Sequence, residues 1–117
     1  MSTDNILNYR TEAYNHLTTE LLPFWESRCV DRVNGGYITH FDTNGNDSGE
    51  DEKSLIAQTR CLYTFSSAHR AGYGEGRFAD IAKHGVDFLL DKMWDAEHEG
   101  FYWLMDRKGN VKIDEKI

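Results

Sequence analysis

Arg60 is the one permanent charge in the middle of an otherwise apolar and small-residue stretch, Ser54–Arg70. A guanidinium there must pair with a carboxylate or face a polar cavity, because burying it alone costs several kcal/mol. Its forked donors suit two adjacent oxygens and its charge suits an oxyanion. An Arg that pairs with a neighbouring helix, or snorkels to its rim, is the plainer reading on composition alone. Of the five histidines, His16, His69, His84 and His98 read as solvated helix-surface or loop residues, whereas His40 lies on an aromatic-bearing hairpin. Two other patterns imitate sites and fail. Asp42-x-Asn44-x-Asn46 resembles a calcium loop, but Asp47 and Lys53 stand where Gly and Glu are needed. Gly72-Tyr73-Gly74-Glu75-Gly76 has the glycines of a phosphate loop, but follows a helix and lacks Gly-Lys-Ser/Thr. The sequence calls for no metal and no cofactor.

Arg60 needs a scaffold, and the periodicities supply one. Residues 53–71 predict a helix about 25 Å long, with Leu55, Ala57, Leu62, Phe65 and Ala68 spread widely enough to pack on several sides. Gly72 suits a left-handed cap at its end. Residues 4–27 predict an earlier helix with a buried stripe of Ile6, Ala13, Tyr14, Leu17, Leu21 and Phe24, kinked or cut short by Pro23. Residues 77–94 give the cleanest pattern: Phe78, Ile81, Ala82, Gly85, Val86, Leu89, Leu90 and Met93 form one face. The first and third helices are therefore outer and the central one inner. Hairpin loops are expected at 35–46, with Asn44-Gly45 as the turn, and at 99–110.

The bulk numbers narrow the function. A net charge of −7 disfavours nucleic acid and anionic membranes as partners. No apolar run is long enough to span a bilayer, and the opening residues lack the pattern of a signal peptide. Cys29 and Cys61 have no CxxC spacing, so reduced thiols in the cytoplasm are expected.

The loops echo one another. Phe24, Asp31, Gly36, Asp42, Gly45 and Asn46 are matched by Phe88, Asp95, Gly100, Asp106, Gly109 and Asn110, each pair 64 residues apart. Such self-similarity signals a repeated supersecondary unit: outer helix, Gly-aromatic hairpin, inner helix. Asp51-Glu52-Lys53 leads into the inner helix, and Asp114-Glu115-Lys116 is followed only by Ile117. Residues 1–117 are thus expected to be the N-terminal part of a longer helical repeat domain.

Leu21-Leu22-Pro23-Phe24-Trp25, Asp31, Gly35-Gly36-Tyr37, Arg60 with Leu62–Ala68, Gly100-Phe101-Tyr102-Trp103 and Asp106-x-x-Gly109 together resemble the N-terminal portion of the N-acylglucosamine 2-epimerase family. Within it, the pattern is most similar to cellobiose 2-epimerases and the related mannose epimerases and aldose–ketose isomerases. The resemblance implies an all-α fold, the N-terminal part of an (α/α)6 barrel with short β-hairpin loops. It implies an isomerase that removes and returns a proton beside the carbonyl of a reducing sugar. Arg60 matches the family's arginine near the reacting oxygens, as catalytic and substrate-binding residue. Tyr37, His40 and Trp103 are candidate sugar-binding residues, although core packing is at least as good an account of the two aromatics. The family's catalytic histidines and a tyrosine lie beyond Ile117. The fragment is accordingly expected to be inactive alone. The implied partner is a small-molecule sugar, with a homo-oligomer left open.

Two other classes compete. Uncovered apolar helix faces would suit a non-catalytic binding or assembly module. A glycoside hydrolase needs two spaced carboxylates at the sugar site, and the acidic residues here lie mainly in solvated loops.

Overall fold

The computed structural model describes residues 3–116; Met1, Ser2 and Ile117, the ends of the expected 1–117 unit, lie outside the described residues. Helix α1 (Thr3–His16) passes through a π-helical turn, Leu17–Leu21, into α2 (Leu22–Arg28). After a long loop come strand β1 (Lys53–Ser54) and α3 (Leu55–Arg70). Helix α4 (Arg77–Phe88) continues through a second π turn, Leu89–Met93, and is followed by β2 (Leu104–Met105) and β3 (Val111–Ile113). The described chain is therefore helical with a small sheet rather than purely helical. Its antiparallel strands run in the order β1-β2-β3, pairing Lys53 with Met105 and Leu104 with Ile113. The sheet joins the two loops to each other and is not confined within either.

Pro23 does not end the first helix. It sits in the first turn of α2, where a missing N–H costs least, just after the π turn in which the Leu22 N–H reaches back to the Leu17 carbonyl. A π turn spends an extra residue, so the face beyond it rotates by about 100°. The buried residue is accordingly Leu22, while Leu21 is exposed. The expected stripe fails further upstream as well. No residue of α1 is buried, and Ile6 and Tyr14 are each more than half exposed.

Helices α3 and α4 pack directly on each other. One cluster joins Leu22, Cys29, Tyr37, Phe65, Ala68, Phe78 and Ile81; a second joins Leu55, Phe88, Leu89, Met93 and Met105. The α4 face differs from its periodicity at three places: Val86 and Leu90 are exposed, and Phe88 is buried. Phe88 turns inward because it packs on Gly35 and Gly36, where a Cβ at Gly36 would come within 2.9 Å of the ring. Helix α3 is covered on one side only, by Leu55, Gln58, Phe65 and Ala68, not all round as its composition suggested.

The loops are held by buried polar groups. Asp31 accepts the Val33 and Asn34 N–H groups at Oδ1, both at 3.0 Å, and the Lys53 ammonium at Oδ2, 2.6 Å away. Lys53, only 1% exposed, also donates to the Gly35 and Arg107 carbonyls at 2.7 and 3.0 Å. Asp95 repeats the device. Its Oδ1 takes the Glu97 and His98 N–H groups, and Lys116 approaches Oδ2 at 2.9 Å. The Asp42–Asn46 and Asp106–Asn110 turns likewise share backbone bonds of 2.8 Å.

Burial pushes the Asp31 carboxyl up, but Lys53 and the two backbone donors outweigh it and hold it below its ordinary range. Bonding to Arg107 brings Asp47 down to about 2. Carboxylates depressed in the folded state stabilise it above their unfolded pKa, and that contribution disappears as pH falls through the folded value. Stability should therefore be flat from about pH 5 to 7 and decline from about pH 4 towards 2, as the urea midpoint measured against pH will show. Lys53→Met strands a buried carboxylate and should cost about 3–5 kcal/mol. Adding Asp31→Asn should restore part of that loss in the same urea titration; a single-variant cost under about 1 kcal/mol would mean that the pair is solvated.

Candidate functional site

Arg60 follows Gln58 by two positions, which carries it about 200° round α3 from the packed side. Its side chain is exposed, with neither the carboxylate partner nor the enclosing polar cavity that burial would have required among the described residues. It lies instead on the rim of an open, largely apolar cavity of about 260 Å³ shared with Trp25, Cys61, Thr64 and Phe65. Tyr63, three-quarters exposed, also belongs to the uncovered side of the helix.

Trp25 is the site residue that spacing did not single out. Its indole makes edge contacts with Phe24 and Phe41, with centroids 5.4 Å apart in each case. The three-ring cluster fixes it between the end of α2 and the first loop. The available signal was the Phe24-Trp25 pair near the end of a helix, but only the tertiary fold sets it beside Arg60.

The other candidates separate. Tyr37 is fully buried and has no face to offer a ligand, so its reading as a sugar platform is corrected. Its hydroxyl donates to the Ile81 carbonyl at 2.7 Å, and Gln58 brackets its backbone N–H and carbonyl at 2.8 Å each. The ring fills the space left by Gly85, where a Cβ would lie 2.2 Å from the hydroxyl oxygen. Tyr37 thus fastens the first loop to both α3 and α4. Trp103 is half-buried and works through its backbone: its carbonyl accepts the Leu55 N–H at 2.9 Å, closing the start of α3 beside the Ser54 cap. His40 is half-buried too, with its ring and the Glu50 and Glu52 carboxylates able to bring ligand atoms within 4.8 Å of one another. Neither His40 nor Trp103 lines the Arg60 cavity.

His84 is not a solvated helix residue. It is half-buried, and its Nε2 lies 2.9 Å from the Gly36 carbonyl. His16 pairs with Glu20 and His98 with Asp95, and both histidines are exposed, as is His69. Among the described residues, no histidine or carboxylate lines the Arg60 cavity. These residues can therefore hold and polarise oxygen atoms, and Cys61 is the one side chain lining the cavity among the described residues that could ionise to accept a proton.

Residues 36–117 match the profile of the family described as N-acylglucosamine 2-epimerase (GlcNAc 2-epimerase). The chain is 34% identical to a cellobiose 2-epimerase of Dictyoglomus turgidum over 100 residues, 86% of this chain and 25% of that protein. It is 32% identical to one of Bacteroides fragilis over 106 residues, 91% of this chain and 26% of that protein. The cellobiose 2-epimerase structure from Bacillus thermoamylovorans superposes with a TM-score of 0.79 at 34% identity, covering 90% of this chain and 26% of the other. That from Spirochaeta thermophila gives 0.83 at 26% identity, covering 94% and 27%. The chain spans about a quarter of the length of these relatives.

The geometry divides Tyr37 from Arg60 in a measurable way. Tyr37→Phe removes the buried hydrogen bond to the Ile81 carbonyl and should cost about 1 kcal/mol. Arg60→Ala removes an exposed group with no ion partner among the described residues and should stay within about 0.5 kcal/mol of the parent. Urea unfolding of the two variants checks both, and equal losses would place Arg60 in the structural framework.

Proposed function

The chain belongs to the N-acylglucosamine 2-epimerase family, and from that footing we propose that it forms the opening part of an (α/α)6 ring acting as a sugar 2-epimerase or aldose–ketose isomerase. The substrate class is a reducing sugar; the names of the relatives make cellobiose and mannose the first to try. The observation that carries the proposal is Arg60, held on the face of α3 opposite the packed side, without an ion partner among the described residues and beside a fixed indole.

Removing the proton on carbon 2 of an open-chain aldose leaves negative charge on the enediolate oxygens. A guanidinium already in place stabilises that charge without reorganising, most effectively once water is excluded. Its parallel donors hold the two oxygens in one plane and so favour proton return at carbon 2 or transfer between carbons 1 and 2. The base and acid belong to helices beyond these residues. Thr64, one turn from Arg60 on the same rim, offers a hydroxyl for a neighbouring sugar oxygen, and Trp25 an apolar surface for sugar C–H groups. His40 and Trp103 remain candidates for more distant sugar contacts near the start of α3.

A non-catalytic binding or assembly module is the second reading, favoured by the exposed Ile6, Leu7, Tyr9 and Tyr14 of α1. In the full-length protein, Arg60→Ala is expected to reduce turnover of cellobiose or mannose by about 10²–10³-fold, with an unchanged circular dichroism spectrum. Unaltered turnover removes Arg60 from the chemistry. No turnover of any reducing sugar by the full-length parent leaves the assembly reading.

A further inference from the structure

Cys29 and Cys61 are 32 positions apart in sequence, yet their sulfurs lie 4.0 Å apart, in contact and not bonded. They differ in access. Cys29, at the C-terminal cap of α2, has no exposed surface, whereas Cys61 is half-buried and lines the open cavity with Arg60, Trp25, Thr64 and Phe65. A small molecule entering that cavity meets one sulfur first and finds the second directly behind it.

We propose that Cys61 is a thiol–disulfide exchange site for low-molecular-weight disulfides entering the Arg60 cavity, and that Cys29 resolves the adduct into an intramolecular Cys29–Cys61 disulfide. The order of events follows from access and charge. Cys29 donates its S–H to Cys61, which lowers the Cys61 pKa, while that bond and burial push the Cys29 thiol up. Cys61 is therefore the sulfur that ionises, and the guanidinium at the rim favours a disulfide carrying carboxylates, such as that of glutathione. The Cys61 thiolate attacks one sulfur of the incoming disulfide, forming a mixed disulfide and releasing one thiolate. Cys29 then attacks the Cys61 sulfur, its proton passing to the departing second thiolate as the protein bond closes. Two protein thiols are oxidised, one external disulfide is reduced to two thiols, and the protons pass to the products.

Closing the sulfurs to bonding distance takes about 2 Å. The product ties the end of α2 to α3 directly beneath the cavity, next to both Trp25 and Arg60. In a reducing cytosol such bonds are transient and responsive to redox state, not permanent staples.

The test uses the chain under native conditions with glutathione disulfide as reagent, followed by thiol counting and intact mass. The parent should lose both thiols and about two mass units, with no retained glutathione, and dithiothreitol should reverse the change. Cys29→Ser should stop at one retained glutathione on Cys61, and Cys61→Ser should remain unmodified. Peptide mapping of the parent product locates the bond even where a serine variant fails to fold. A stable glutathione adduct on the parent, untouched thiols or a cross-linked dimer would each overturn the assignment.

Discussion

A lysine ammonium buried among a carboxylate and two carbonyls is the constraint on which this structure rests. Lys53 immediately precedes α3, Asp31 closes the turn after α2, and the Arg107 carbonyl belongs to the second loop. Two of the three protons on Lys53 thereby fix the Asp31–Gly35 turn, and the third fixes the second loop. A buried pair of this kind is weak evidence of net stability, because desolvation offsets much of the attraction. What it supplies is definition. A loop of more than twenty residues with little regular structure is brought to one position at the mouth of α3, and the second loop is brought to the same place.

That placement explains how a chain with little sheet builds a rigid rim. Strand β1 is two residues long, and its partner β2 comes from the other loop. Such a short ladder would not hold alone. It holds because Leu55 and Met105 beneath it are buried with Phe88, Leu89 and Met93, and because the start of α3 is closed by Trp103 and Ser54. The repeated Asp–Lys contacts at Asp31 and Asp95 show one device used twice, in each case between an Asx turn and a lysine further along the chain. The second is the more open: Lys116 is shared between Asp95 and Asp114.

The functional reading depends on an asymmetry in α3. One side is committed to the core through Gln58, Phe65 and Ala68. The other presents Arg60, Tyr63 and Thr64 uncovered among the described residues. Helix α1 also carries uncovered apolar residues. Both surfaces have the composition of partly buried faces without a covering element among the described residues.

The sequence by itself determined the helices, the αL end of α3 at Gly72, the paired turns at Asp42 and Asp106, and Arg60 as the charge that needed explaining. These are local properties: periodicity, cap chemistry and turn residues act over a few positions, and an exact 64-residue echo needs no coordinates to be seen. Only the tertiary structure decided which face of each helix is covered. The π turn at Leu17–Leu21 shifted the buried position from Leu21 to Leu22, and close approach at Gly36 drew Phe88 inward; neither has a local signature. Tyr37 could equally have been a platform or a core ring until the void at Gly85 and the Ile81 carbonyl claimed it. Burial depends on what arrives from far along the chain, and so Trp25 beside Arg60, and Cys29 against Cys61, are facts of the fold alone.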